Sequence, residues 1–179
     1  MAASDDIVLA PDERLKTECA PIEEITDEVR ELAAHMLEDM YATEGCGLAA
    51  PQIGALVQLV VIDVEYTRYK RNPYVLINPR IVVADGEERE TGEGCLSFPG
   101  ITVPISRPSH VVVEARNLDG DLMRYEAENN LMAVCLQHEI DHLHGVTMLD
   151  HLRPLQRVRM MREYEEALAA GARPGDVGD

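Results

Sequence analysis

The sequence predicts an α+β domain, and three features carry that expectation: an amphipathic helix near the start, a middle stretch of strand-like runs separated by turn residues, and a second helix near the end that carries two histidines. Residues 26–44, TDEVRELAAHMLEDMYATE, form the first helix. Val29, Leu32, Ala33, Met36, Leu37 and Met40 recur at helical spacing, Thr26 or Asp27 caps the start, and Gly45 stops the end. His35 falls on the exposed side of this helix and is not a ligand candidate. VQLVVIDVEY (57–66) is β-rich, and YVLINPRIVVAD (74–85) reads as two short strands around Asn78-Pro79. HVVVEARNLDGDLMRYEAE (110–128) is a hairpin turning at Asp119-Gly120. The second helix spans NNLMAVCLQHEIDHLHG, capped by Asn130 and stopped by Gly145. A third helix covers 153–169, and the Gly- and Pro-bearing residues 169–179 read as a flexible tail after a single domain over 1–168. The expected fold is therefore one compact domain of mostly antiparallel strands packed around a central helix.

Composition narrows the function classes. The chain has 179 residues, 46% apolar and 27% charged, which suits one globular domain with a substantial core. The net charge of −17 argues against direct DNA binding or attachment to an anionic membrane through the overall field. No apolar run approaches membrane-spanning length, and the acidic start MAASDDIVLAPDERLK lacks the features of a secretory signal, so a cytoplasmic location is expected. Arg153, Arg157, Arg159 and Arg162 make one local basic stretch, whose simplest reading is a solvated helix face. Cys19, Cys46, Cys95 and Cys135 form no C-x-x-C pair, and a cytoplasmic chain of this size needs no disulfides.

His138-Glu139-Ile140-Asp141-His142 carries the chemistry. Residues four apart on a helix lie about 40° apart around its axis, so both imidazoles suit one metal ion. A catalytic zinc-type centre takes three protein ligands and leaves one position open. The H-E-x-x-H-x-x-G-x-x-H variant matches through Gly145 and fails at Met148. A downstream glutamate among Glu163, Glu165 and Glu166 is a weak alternative. Cys95 offers a thiolate, a strong ligand for zinc- and iron-type ions.

Three stretches in order, GCGLAAPQIG (45–54), EGCLS (93–97) and HEIDH (138–142), resemble the signature motifs of the peptide deformylase family. IVLAPDERLK, VLINPRI and GVTMLDHLRPLQR extend the resemblance over nearly the whole chain. It implies the α+β deformylase fold and metal-dependent removal of the formyl group from the N-terminal formylmethionine of nascent polypeptides. It makes Cys95, His138 and His142 the metal ligands, with iron(II) expected in the cell and nickel, cobalt or zinc possible in purified protein. The fourth position is left for water, whose pKa a divalent ion lowers toward neutrality. Glu139, about 100° around the helix from His138, suits the general base and acid. The resemblance also implies that the Gln52 amide and the Leu96 backbone N–H donate to the developing oxyanion.

Gly47 offers backbone to an extended substrate, and Cys46 stands at the pocket rim where a larger apolar residue is expected. Leu131, Val134 and Cys135 lie three to seven positions before His138 and are expected to wall the methionine pocket. Arg107 and Asp141 are expected to pair behind the ligands. His144 and His151 are out of register with the metal-facing side. The partner is a formylmethionyl nascent chain, with ribosome contact through the Arg-rich helix a further expectation. The rival readings are a metallopeptidase, which does not use a cysteine such as Cys95, and a non-catalytic metal-binding or ribosome-associated module, which would prefer a fourth protein ligand.

Overall fold

Short runs of β-branched residues alternate with turn residues through the middle of the chain, and they pair into one antiparallel sheet in the computed structural model. The structure describes residues 6–178. Residues 1–5, the start of the expected domain, and Asp179, the end of the expected tail, lie outside the described residues. The strands are β1 (Gly47–Ala49), β2 (Leu59–Ile62), β3 (Tyr74–Glu93), β4 (Val103–Arg116) and β5 (Leu122–Glu128), paired in chain order. Three helices accompany them: α1 (Asp27–Ala42), α2 (Leu131–Leu143) and α3 (Pro154–Ala169).

The sheet is buried on both faces at its centre. Leu59 and Val61 of β2 pack with Met36 and Met40 of α1, while Val60 and Ile62 pack with Leu136, Ile140 and Leu143 of α2. Side chains alternate along a strand, so the unbroken LVVI run reads as a strand covered by a helix on each side. A third cluster joins Phe98, Ile101, Val103 and Ile105 to Leu149 and Tyr164, seating α3 on the far part of the sheet.

The helices start and stop close to the expected places. Asn130 caps α2 through its side chain, which accepts from Ala133 N at 3.0 Å. Gly145, at φ 67°, lies so close to the Lys16 carbonyl that an added Cβ would come within 2.6 Å of it. Glu44, at φ 56°, and not Gly45, makes the left-handed turn after α1. The hairpin turns at Gly120, φ 88°, as expected.

Two differences from the sequence reading matter for function. Asn78-Pro79 does not divide two strands, because β3 runs through it with a register shift between Ile77 and Arg80. Asn78 takes φ 50°, a conformation asparagine tolerates, so the missing Pro79 donor falls in an irregularity of the ladder. β3 then continues to Glu93, which delivers Cys95 to the site. The expected tail is also not loose. Gly100 N donates to Asp176 O at 2.9 Å, and Thr102 Oγ1 donates to Gly178 O at 2.9 Å, holding the segment against the body.

Candidate metal centre and active site

Cys95 sits in the turn after β3, closed by Phe98 N donating to Cys95 O at 2.9 Å. His138 and His142 come from successive turns of α2, their ring centroids 5.0 Å apart. One potential ligand atom from each of these three residues lies within 4.8 Å of the others, and Cys95 Sγ is 3.3 Å from His142 Nε2. A thiolate and two imidazoles converging this closely fit a tetrahedral site with one open position. Among the described residues, Asp6, His35 and Asp39 are also this close, with His35 Nε2 3.3 Å from the buried Asp39 carboxylate on the outer face of α1.

A charged network orients the histidines. His138 Nδ1 lies 2.9 Å from Glu93 Oε2, which leaves Nε2 for the metal side. Arg107 grips the same carboxylate with Nε at 2.5 Å and Nη2 at 3.0 Å, and its Nη1 reaches Asp141 Oδ2 at 2.8 Å. The expected Arg107–Asp141 pair is therefore present. Two members were not foreseen: Glu93, and His151, whose Nε2 lies 2.8 Å from Asp141 Oδ2. Burial works against the charged form of Glu93, but its bonds with His138 and Arg107 hold the carboxyl below its ordinary range. Burial likewise disfavours charged His138, and the bonds with Cys95 and Glu93 outweigh it. His142 has no such carboxylate, and burial lowers it well below the usual imidazole value.

Glu139 is the opposite case. It is buried, its Oε2 has no hydrogen-bond partner, and burial pushes its carboxyl up to about 8. A buried acid with a free oxygen beside three converging potential ligands has the form of a proton carrier working near neutral pH. Gly47 permits the close approach, since a Cβ there would lie 2.7 Å from both Glu139 Oε1 and Cys135 Sγ.

Gln52 is held in one orientation. Its Oε1 accepts from Ala49 N at 2.9 Å, so the NH2 group faces Ser97 Oγ at 3.2 Å and Cys95 Sγ at 3.5 Å. The amide therefore presents donors, as stabilising an oxyanion requires. Ser97, fully buried as the partner of this amide, was another residue the sequence reading did not single out.

Cys46, Gly47, Gln52, Cys95, Leu96, His138 and Glu139 line one cleft of about 190 Å³. Cys135 lies beneath its rim, with Sγ 3.9 Å from Cys46 Sγ. Leu131 and Val134 do not line this cleft. They border a neighbouring hollow of about 260 Å³ with Thr91, Gly92 and Arg107, and Leu131 is 53% exposed. For Leu131 the reason is axial distance: seven residues before His138 is about 10 Å along the helix, although the helical face is shared. His144 lies outside the cluster, bonded to Glu18 at 2.7 Å. Glu163 and Glu166 pair with Arg159 and Arg162 on α3, which removes the support for a downstream glutamate ligand.

A helix-borne H-E-x-x-H completed by a cysteine, with an oriented amide donor beside it, defines a metal-dependent amide hydrolase. The family model for polypeptide deformylase matches residues 4–158. The peptide deformylase of Acinetobacter baumannii is 46% identical over 160 residues, 89% of each chain. That of Hydrogenovibrio crunogenus is 44% identical over 93% of this chain and 96% of its own. The crystal structure of a peptide deformylase from Legionella pneumophila superposes with a TM-score of 0.84 at 39% identity, covering 92% of this chain and 96% of that one. This chain belongs to the peptide deformylase family, metallohydrolases that remove the N-formyl group from nascent polypeptides.

Proposed function

We propose that Cys95, His138 and His142 hold a divalent ion, iron(II) in the cell, and that Glu139 moves the proton in hydrolysis of a formylmethionyl nascent chain in the cytoplasm. The observation that carries this reading is the buried, unpartnered Glu139 carboxyl beside three converging ligand atoms. When bound, the ion supplies Lewis-acid polarisation of the water nucleophile and of the formyl oxygen. Glu139 is the group placed to take a proton from a water attacking the formyl carbon and to return it to the amine nitrogen as the C–N bond breaks, which would leave formate and a free N-terminus. Gln52 Nε2 and Leu96 N donate to the formyl oxygen as it gains negative charge. Losing one such donor costs about 3–4 kcal/mol of transition-state stabilisation.

The peptide lies extended along Gly47. Among the described strands β1 is the edge strand and pairs only with β2, and with Ala49 N committed to Gln52 it is the Gly47 end that is left to meet a peptide. The methionine side chain takes the apolar ground from Cys46 and Cys135 toward the hollow bordered by Thr91, Val134 and Leu131. Arg107 and Asp141 position the ligands by holding Glu93 and the helix. The domain spans 1–168 in this reading, and the remaining residues are taken up below.

The test is formate release from formyl-Met-Ala-Ser by protein stripped of metal and then reloaded with iron(II), nickel, cobalt or zinc. Release that returns with metal, strongest with iron(II) or nickel, supports the assignment. A folded, fully metallated protein that releases no formate removes it. Ribosome contact through α3 is a separate part of the proposal. Arg159 and Arg162 are exposed, as docking requires, but each already pairs with a glutamate on the same helix. Unchanged co-sedimentation with ribosomes after replacing Arg153, Arg157, Arg159 and Arg162 by alanine would remove that part.

A further inference from the structure

The segment after α3 is built to lie across the mouth of the cleft. Gly171, at φ 93°, ends the helix, with Ala172 N donating to Ala167 O at 3.0 Å, and the chain turns back. Asp176 closes the next turn, its carboxylate accepting from Arg173 N at 2.7 Å. Two glycines then allow backbone to pack directly on backbone. Gly175, at φ 101°, is so close to Thr43 O that any Cβ would collide with it. A Cβ on Gly178 would lie 3.0 Å from both Ile101 Cα and Thr102 N. Thr43 belongs to the lip that leads into Gly45–Gly47, and Gly100–Thr102 follows the Cys95 turn. The segment therefore bridges both lips. Gly175, Asp176 and Val177 line the same cleft as Cys95, His138 and Glu139. Val177 lies on Gly94, where an added Cβ would be 3.2 Å from Val177 Cγ1, yet the valine is 71% exposed.

We propose that Gly175–Gly178 is part of the substrate site: a strap that closes the outer end of the cleft and offers Val177 to the first residues after formylmethionine, favouring an apolar side chain there. The inference rests on the deformylase reading above. With the formyl carbon at Cys95 and Glu139, an extended peptide advances about 3.3 Å per residue and reaches the strap within a few residues. An exposed aliphatic side chain at that point gains by being covered. The strap lies beyond the residues matched by the family model, which end at 158, so this subsite belongs to the chain's own C-terminal segment.

The test compares kcat and KM of the metal-loaded full chain on formyl-Met-Xaa-Ser peptides with Xaa glycine, alanine, leucine or phenylalanine. Formate release by the unmodified chain is measured first, so that failure of the deformylase reading is recognised separately. The unmodified chain is expected to prefer leucine to glycine. V177S, at an exposed position that leaves both backbone anchors in place, should reduce the leucine-to-glycine ratio of kcat/KM about three- to tenfold, through a higher KM for the leucine peptide. G178V, which dislodges the strap, should do the same. An unchanged leucine-to-glycine ratio in both variants would overturn the proposal. So would a uniform rise in kcat/KM for all four peptides, since the strap would then merely obstruct the cleft.

Discussion

Glu93 and Glu139 are the same side chain, both buried and both beside His138, yet their carboxyls shift in opposite directions. Glu93, on the sheet side, holds two guanidinium nitrogens of Arg107 and a ring nitrogen of His138, and it is kept ionised. Glu139, on the cleft side, has an oxygen with no partner and holds its proton up to about pH 8. A satisfied buried charge fixes geometry, because moving it would strand its partners. An unsatisfied one keeps a cost of ionisation that a reaction can use.

The contrast is tested most severely by E139Q, which keeps the shape and removes the titration. The metal-loaded variant should lose about 10²- to 10⁴-fold in kcat while binding metal as before. A formate-release assay beside a metal analysis reads this, and near-normal turnover would end the distinction. On the other side, E93A leaves Arg107 buried without its main partner and should destabilise the fold by about 3–5 kcal/mol in denaturant unfolding. A loss much below that would mean that Asp141 and water satisfy the arginine unaided.

A third measurement concerns pH. Burial holds the Glu139 proton in the folded chain up to about 8 against an ordinary value of 4.5, so folding binds this proton more tightly than the unfolded chain does. The stability it gives at low pH is lost as pH rises from 4.5 through about 8. Glutamine does not titrate, so metal-free E139Q should gain on the unmodified metal-free chain across that window, by on the order of 5 kcal/mol if the full shift is realised. Parallel stability curves would show that Glu139 is solvated after all. The smallest effect is expected from G47A. Its methyl group would push against Glu139 and Cys135, costing about tenfold in kcat by displacing the base without removing it.

The two histidines of the candidate metal site were legible in the sequence because their spacing is local. His138 and His142 are one turn apart on a helix whose cap and stop are both visible, and EGCLS marks Cys95. Glu93 stands in that same motif, but its role depends on Arg107 arriving from β4, a pairing set by strand register and not by neighbours in sequence. β3 looked interrupted because Asn78-Pro79 imitates a turn, whereas the strand runs through it to Glu93. The tail looked loose because Gly and Pro are common in flexible chain. Here Gly175 and Gly178 serve close backbone packing, which composition does not distinguish from flexibility.

The tethered amide of Gln52 carries a consequence for choosing variants at that position. Its oxygen is committed to Ala49 N, so only the nitrogen end faces the Cys95 thiol. Glutamate has almost the same outline and would still satisfy Ala49, but it would turn an acceptor and a negative charge toward the sulfur and the reacting oxygen. By size and shape it is among the mildest replacements; for catalysis it would be among the harshest. Similarity tables rank side chains by outline, whereas this position distinguishes them by which end of the amide the backbone has already taken.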